Sequence, residues 1–358
     1  MTDNNKINTA IIGYGFSGSI FFAPFLHLHN GFKLCGAVER NTKKIQKDYA
    51  YTKSYNSVDD LLLDKSIDLV VVNTPIDTHY DLTKKVLLAG KNAIVEKTFT
   101  NNAQQALELF DIAERNGLHL FVFQNRRFDS DFLTVESVIN GGKLGKIVEA
   151  SISYDFFIPK VRGEVHTERM HSGGEFNNRG SHIIDQAIKL FGMPDKVFAD
   201  FAAFRPGSLV EDYFETILIY PDKRVKLRGT DISVSNQPGY IIHGLNGTFI
   251  KSRSDIQEES LLNGQEPKAA PWCFEEEREN GRLTYFKEEE KISERIPSEH
   301  GNYYNYFEAV YQCMINGANS PVTAFDGFKT MLVMDAARKS VDEKQIIDVA
   351  KVALQFDF

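Results

Sequence analysis

A glycine-rich turn near the start of the chain constrains the fold more than any other feature. It consists of Gly13-Tyr14-Gly15-Phe16-Ser17-Gly18, between an apolar, β-branched run at 7–12 and a helical stretch at 17–28. In this setting the first glycine of G-x-G-x-x-G permits a tight turn, the second lets the backbone approach a pyrophosphate, and the third lets the helix pack closely on the strand. The helix N-terminus adds unpaired N–H groups for the phosphates. The turn predicts a dinucleotide site; the alternative is a glycine-rich loop that binds no nucleotide.

An acidic residue completes this fingerprint. Glu39 ends the second apolar run, twenty-one residues beyond Gly18, close to the spacing of about 20 expected for the carboxylate that binds the ribose diol. A carboxylate there would repel a 2′-phosphate, whereas the neighbouring Arg40 could hold one. These residues favour NAD, with NADP as the open alternative. A solvated strand end is the other explanation of Glu39.

The pattern of apolar runs predicts an α/β protein with two domains. Short β-branched runs alternate with helical stretches up to residue 125, as expected for a doubly wound parallel sheet. After residue 126 several strand-like runs follow one another across short turns, which favours a large, mostly antiparallel sheet. We therefore expect a Rossmann domain at 1–125 and an α/β domain at 126–358. The charged segment 255–295 is predicted to be an extended surface excursion.

Composition excludes several classes of function. The 358 residues carry a net charge of −8 with no basic stripe, which disfavours binding to nucleic acid or to an anionic membrane. The three cysteines are widely separated, so neither a disulfide framework nor a metal site is expected. No apolar run reaches membrane-spanning length, and the polar start lacks the apolar region typical of a signal peptide. We expect a cytoplasmic protein.

Two further residues are candidates for chemistry. Lys97 follows a buried-looking strand, and the carboxyl ends of such strands form the ligand crevice; a solvated surface lysine is the alternative. His182 opens a helix at 181–191, on a polar side shared with Asp185 and Gln186. With Asp185 behind it at i+3, His182 could act as acid, base or hydrogen-bond donor, or be an ordinary capping residue.

Taken together, these motifs resemble those of the Gfo/Idh/MocA oxidoreductase family. The likeness covers nearly the whole chain and is closest to the scyllo-inositol dehydrogenase-like branch. It rests on the following segments: the glycine turn, Asn73-Thr74-Pro75 with His79, Glu96-Lys97, Asn125-Arg126-Arg127-Phe128-Asp129-Ser130-Asp131-Phe132, Gly180-Ser181-His182-Ile183-Ile184-Asp185, and Pro321-Val322-Thr323.

The resemblance implies reversible hydride transfer between a nicotinamide and a hydroxyl or keto carbon of a sugar or cyclitol. It also implies a second domain whose open sheet assembles homodimers or homotetramers. Lys97 and His182 match the family's catalytic lysine and histidine. Asn178 stands where the family has an aspartate, and an amide cannot take up a proton. Thr98 replaces the proline of the E-K-P motif, and Glu39 replaces the branch's serine.

The predicted site follows from these matches. Lys97, with its pKa lowered by burial and by the nicotinamide charge, removes or returns the hydroxyl proton, while His182 and Asn178 orient the substrate. Arg162 and His171 are weaker substrate-contact candidates, and Arg126 and Arg127 are either functional or structural ion-pair residues. The predicted cofactor contacts are Gly13, Tyr14, Gly15, Phe16, Ser17, Gly18, Glu39, Arg40, Thr74, Pro75, His79, Glu96, Lys97 and Asn125.

Two other functions stay open at this point. Loss of the aspartate is compatible with a non-catalytic sensor that binds a dinucleotide and a sugar and controls a partner. The fold also accommodates NAD-dependent glycosidases, although no residue here singles out that activity. Retention of Lys97 and His182 favours the dehydrogenase.

Overall fold

The protein is described by a computed structural model that covers residues 6–39, 43–161, 173–235 and 237–356. Two compact units form. The first comprises Met1–Asn125, Gln257–Trp272 and Asn302–Phe328, and the second comprises Arg126–Ile256, Cys273–Gly301 and Lys329–Phe358.

The regular elements of both units are numbered here in chain order. The strands are β1 Ile7–Ile12, β2 Phe32–Val38, β3 Lys53–Tyr55, β4 Leu69–Val72, β5 Asn92–Glu96, β6 Leu120–Phe123, β7 Ile147–Asp155, β8 Lys196–Ala202, β9 Tyr213–Ile219, β10 Arg224–Thr230, β11 Tyr240–Gly244, β12 Gly247–Lys251, β13 Gly281–Lys287, β14 Glu290–Ile296 and β15 Ile347–Asp348. The α-helices are α1 Ala23–Leu28, α2 Lys44–Asp48, α3 Val58–Leu63, α4 His79–Leu88, α5 Ala103–Asn116, α6 Ser130–Asn140, α7 Ser181–Phe191, α8 Gln257–Leu262, α9 Tyr304–Asn316, α10 Ala324–Glu343 and α11 Val349–Ala353.

The first unit is built on a six-stranded parallel sheet in the order β3-β2-β1-β4-β5-β6. All four residues of β4 and of β6 are buried, as expected for strands that are covered on both faces. The strand order reverses between β1 and β4, so the ligand crevice lies at the carboxyl ends of these strands. The predicted Rossmann domain is confirmed.

Local capping explains where several of these helices begin and end. Ser57 accepts a hydrogen bond from the Asp60 N–H at the start of α3, and Asn102 accepts one from the Gln105 N–H at the start of α5. These side chains satisfy N–H groups that have no partner inside the helix. At the other end of α5, Gly117 adopts the left-handed conformation (φ 61°), as its position predicts.

The first unit also contains two segments from much later in the chain. In α9, the Phe307 ring stacks on Phe25 with centroids 5.2 Å apart, and the Tyr306 ring packs edge-on against Phe123 at 5.0 Å. The Val122 N–H donates to the Val322 carbonyl. The continuous division into 1–125 and 126–358 therefore differs from the observed units, because these aromatic side chains complete the core of the parallel sheet.

The second unit is built on a nine-stranded sheet in the order β14-β13-β12-β11-β7-β10-β9-β8-β15. Only the β7–β10 pair is parallel among its described strand pairs. Along β9, buried and partly exposed residues alternate, the pattern of a sheet with one covered and one open face. The prediction of a large open, mostly antiparallel sheet is confirmed.

The segment 255–295 differs from the predicted surface excursion. It contains α8 and the hairpin of β13 and β14, which extends the large sheet beyond β12. Leu283 of β13 is buried in a segment that is rich in charged residues, and the high charge content made the strand hard to recognise from the sequence. None of the helices in the described parts of the chain has the length and apolar character needed to cross a membrane.

Candidate active site

The glycine turn has the shape that a dinucleotide requires. Gly13 has φ +94°, and a Cβ added there would lie 2.1 Å from the Asn73 carbonyl oxygen. A Cβ on Gly18 would lie 2.7 Å from the Gly13 carbonyl oxygen, whereas a Cβ on Gly15 would meet no atom within 4 Å. Gly13 and Gly18 thus allow close packing inside the protein, and exposed Gly15 presents open backbone for a pyrophosphate. The residues fit the cofactor.

Side chains on either side of the turn hold it in place. The Asn73 amide donates to the Gly13 carbonyl oxygen at 2.9 Å, and the Tyr14 hydroxyl donates to Asp48 at 2.8 Å. The Ser17 hydroxyl donates to Glu96 Oε1 at 3.2 Å. Phe16 is largely exposed. Tyr14 and Ser17 therefore support the turn from opposite sides, towards α2 and towards the end of β5.

Glu39 makes contacts that its motif position does not anticipate. Its Oε1 accepts hydrogen bonds from the main-chain N–H groups of Lys44 (2.7 Å) and Ile45 (3.2 Å), so the carboxylate caps α2. Its Oε2 lies 3.4 Å from the Ser54 hydroxyl. The assignment of Glu39 to a ribose diol stays a prediction. Arg40 lies outside the described residues.

His79 joins the loops that follow β4 and β5. It is fully buried, with Nδ1 2.8 Å from the Thr98 carbonyl oxygen and Nε2 2.7 Å from the Thr74 carbonyl oxygen. Burial lowers the pKa of His79, since the charged imidazolium would lose its hydration. The side chain thus fixes the backbone of Thr74-Pro75 and of the residue after Lys97. A direct contact of His79, Thr74 or Pro75 with the cofactor stays a prediction.

Glu96 and Lys97 lie at the carboxyl end of β5, as the sequence predicts. Lys97 is partly exposed, while Thr98 behind it is buried, and the peptide bond between them is cis. Glu96 Oε2 is buried and has no hydrogen-bond partner among the described residues. Burial raises the pKa of Glu96 to about 7 because removal from water disfavours the carboxylate. Asn125 is buried and lies two residues beyond the end of β6.

In the second unit, Asn178 and His182 lie on one continuous helical segment. A wide turn at Phe176–Gly180 leads directly into α7. Asn178 is exposed in this turn although the residues on both sides of it are buried, and its Nδ2 donates to Glu175 Oε2 at 3.4 Å. His182 is buried in the first turn of α7. Asn178 is therefore the accessible polar residue of the turn.

Three polar residues of α7, His182, Asp185 and Gln186, are buried. Asp185 does not back His182: its carboxylate accepts two hydrogen bonds from Arg127, each 2.7 Å long. Gln186 is also fully buried, with its amide donating to the Arg126 carbonyl oxygen. The sequence left open whether Arg127 is a functional residue or a structural ion-pair residue, and its contact with Asp185 is a structural ion pair.

Arg179 anchors the turn and is not among the residues predicted from the sequence. This buried guanidinium donates to the carboxylates of Glu175 and Asp231 and to the carbonyl oxygens of Tyr154 (3.2 Å) and Thr230 (3.1 Å). It ties the turn that carries Asn178 to the carboxyl ends of β7 and β10. The i, i+4 spacing of Glu175 and Arg179 is the one sequence signal that pointed to this pairing.

Other predicted residues are not described. Arg162 and His171 lie outside the described residues. In the part of the chain that is described, no three His, Cys, Asp or Glu side chains are grouped so as to hold a metal ion.

The fold and the turn define a two-domain, dinucleotide-binding oxidoreductase, and comparisons with known proteins give its family. Residues 7–124 match the oxidoreductase-family model for the NAD-binding Rossmann fold, and residues 136–350 match the model for its C-terminal α/β domain. The chain belongs to the Gfo/Idh/MocA family of NAD(P)-dependent oxidoreductases.

Similar proteins include two inositol dehydrogenases. The chain is 34% identical to scyllo-inositol 2-dehydrogenase (NADP(+)) of Bacillus subtilis, over 96% of each chain. It is 26% identical to inositol 2-dehydrogenase of Rhizobium meliloti, over 84% of this chain and 86% of the relative. The crystal structure of an oxidoreductase from Bacillus cereus is 31% identical, covers 96% of this chain and 98% of its own, and has a TM-score of 0.88.

Proposed function

We propose that the protein oxidises a hydroxyl carbon of a sugar or an inositol-like cyclitol, or reduces the corresponding ketone, with NAD or NADP. One observation carries the proposal. The hydrogen bond from Ser17 to Glu96 links the glycine turn to the end of β5, so Lys97 follows directly after a residue that contacts the dinucleotide turn. The names of the two inositol dehydrogenases support the substrate class.

Lys97 supplies the proton transfer in this proposal. The dinucleotide accepts or returns the hydride, and the Lys97 amine takes up the hydroxyl proton during oxidation and returns it during reduction. Its location at the carboxyl end of a central strand suits this role because that edge of the sheet is the ligand crevice. His79 and Thr98 fix the backbone on which Lys97 is carried.

Asn178 and His182 orient the substrate. The Asn178 amide nitrogen is directed at Glu175, so its carbonyl oxygen is the group that accepts a hydrogen bond from a substrate hydroxyl. An amide oxygen fills the acceptor role of the family's aspartate without taking part in proton transfer. His182, held in the first turn of α7, adds a second polar group next to it in the segment.

The test is a substrate screen with a matched pair of lysine variants. Purified protein is mixed with a panel of inositols and aldoses and with NAD+ or NADP+, and reduced cofactor is followed at 340 nm. Lys97→Met is expected to lower kcat by about 100-fold or more. Lys85→Met, on the exposed side of α4, serves as the control. Full turnover by Lys97→Met contradicts the assignment, and tight cofactor binding without turnover of any polyol favours the sensor.

We also propose that the protein is a homodimer or homotetramer. The open face of the nine-stranded sheet includes Phe198, which is 39% exposed on β8, and the partly exposed alternate residues of β9. Burial of such a face against a second copy is favourable. Light scattering coupled to gel filtration measures the mass, and a monomer at micromolar concentration would contradict the proposal.

A further inference from the structure

Glu96 bridges two parts of the dinucleotide crevice. It ends β5, whereas Ser17 follows β1, and β4 lies between these two strands in the sheet. The hydrogen bond from Ser17 to Glu96 Oε1 (3.2 Å) therefore passes across the carboxyl end of β4, where the strand order reverses. Glu96 thus lies where ligands bind in sheets of this type.

The second oxygen of this carboxyl has a different environment. Oε2 is buried and has no hydrogen-bond partner among the described residues. An ionised carboxylate prefers hydrogen bonds to both of its oxygens, and a buried one without them is costly. One oxygen held by the glycine turn and one without a donor make Glu96 sensitive to any charge that enters the crevice.

Neighbouring groups act on the pKa of Glu96 in opposite directions, with the Ser17 hydroxyl and the Lys97 main-chain N–H both favouring the carboxylate. Lys97, next in the chain, favours the ionised form, while Glu258 on α8 disfavours it, and burial is the largest effect. His79 contacts Thr98 and interacts electrostatically with Lys97. The resulting pKa of about 7 for Glu96 leaves both protonation states populated at neutral pH.

We propose that Glu96 couples proton binding to the oxidation state of the bound dinucleotide: it is ionised beside the oxidised form, and the uncharged ring of the reduced form leaves its protonation nearly unchanged. The oxidised nicotinamide ring carries a positive charge that the reduced ring lacks, and a nearby positive charge favours a carboxylate. Binding of the oxidised form then expels a proton from Glu96, and binding of the reduced form does not. The inference rests on the dinucleotide site of the proposed function but requires no turnover.

Calorimetry of the full-length protein tests this coupling. Binding of NAD+, NADH, NADP+ and NADPH is titrated at pH 7 in buffers of different ionisation enthalpy, which gives the number of protons released. Because the Glu96 pKa is about 7, the oxidised form of the preferred cofactor is expected to release up to about half a proton, and the reduced form close to none. The affinity for the oxidised form should also rise with pH between about 6 and 8.

Two variants decide whether Glu96 is the source. Glu96→Gln keeps an acceptor for Ser17 but does not titrate, so both cofactor forms should bind with the same small proton release. Ser17→Ala removes a hydrogen bond that favours the ionised carboxyl of Glu96, so the pH at which the two cofactor forms differ most in proton release should move upward. An unchanged difference in Glu96→Gln overturns the inference, as does equal proton release by both forms in the wild-type protein.

Failure of the proposed function gives other results. If the protein binds both cofactor forms with the predicted proton release but oxidises no polyol, the proposed substrate class is refuted and the proposed role of Glu96 is supported. If the protein binds neither cofactor form, both proposals are refuted. Circular dichroism of Glu96→Gln shows whether the variant folds. If it does not, an unchanged pH dependence of the proton release in Ser17→Ala overturns the inference.

Discussion

Replacement of Asn178 by aspartate restores the residue type of the family, yet the structure predicts a destabilised protein at neutral pH. The new carboxylate would lie about 3.4 Å from Glu175 Oε2, the distance now spanned by the Asn178 amide. Two like charges at that distance repel by about 5 kcal/mol at an effective dielectric constant of about 20. Arg179, which donates to Glu175, and solvent around the exposed Asn178 side chain both reduce this repulsion.

We therefore expect the pKa of Asp in Asn178→Asp to rise by roughly 1–2 units in the folded protein, worth about 1.5–3 kcal/mol. The sign follows from linkage. Below about pH 4 the carboxyl is protonated in both states and the variant resembles the wild type. As pH rises from about 4 to 6, the unfolded state ionises first and the variant loses stability relative to the wild type. Above about pH 6 the difference in stability between the variant and the wild type is constant.

The measurement is the melting temperature of both proteins from pH 4.5 to 8. Asn177→Asp is the matched control, because Asn177 Oδ1 accepts a 2.5 Å hydrogen bond from Arg338. The guanidinium favours a carboxylate at this position, whereas the Gly173 carbonyl oxygen, which now accepts from Asn177 Nδ2 at 2.8 Å, disfavours it. The loss of stability of Asn177→Asp should therefore grow less with pH than that of Asn178→Asp. The reasoning is refuted if Asn178→Asp melts in parallel with the wild type at every pH, or if both variants lose stability together.

Three other substitutions have outcomes that follow from the structure. Gly13→Ala places a Cβ 2.1 Å from a carbonyl oxygen at a residue with φ +94°. The resulting strain, more than about 1 kcal/mol, should weaken dinucleotide binding at least roughly tenfold in a fluorescence titration. An unchanged affinity would count against this geometry of the turn. Arg127→Met leaves buried Asp185 without its bidentate partner and should cost about 3–5 kcal/mol by urea denaturation, whereas the double variant Arg127→Met/Asp185→Leu should recover much of that loss. Glu39→Ser removes a charge that repels a 2′-phosphate, and the ratio of kcat/KM with NADP+ to that with NAD+ should rise about tenfold or more, equivalent to about 1.4 kcal/mol; an unchanged ratio would show that Glu39 acts only as the cap of α2.

Local sequence signals predicted the first sheet and its ligand edge well. The glycine turn, the apolar strands and the helix-ending Gly117 depend on residues close together in the chain, and φ preferences and side-chain periodicity are read from such neighbours. Lys97 was predicted at the end of a strand because strand ends follow from the same pattern. The open antiparallel sheet was predicted from successive short strands and their turns.

Partners that lie far apart in the chain were not predictable in this way. Asp185 was expected to support His182 at i+3, yet it pairs with Arg127, 58 residues away. Arg179 meets Asp231 only because β10 lies beside β7 in the sheet. The spacing of residues on a helix shows on which face of the helix a charged side chain lies. It does not show which residue of another element neutralises that charge, and a charged side chain is tolerated in the interior only when such a partner is present.

Because α9 packs in the first unit although it comes late in the chain, the first unit cannot complete its core early in translation. The ribosome synthesises Phe22, Phe25 and Phe123 early. It adds Tyr306 and Phe307, which pack against them, about 180 residues after Phe123. Until then the nascent Rossmann sheet exposes an aromatic face, and closing so long a loop slows formation of the final core. A fragment ending at Asn125 should therefore aggregate or bind chaperones, and cofactor binding should require ribosomal release of nearly the whole chain.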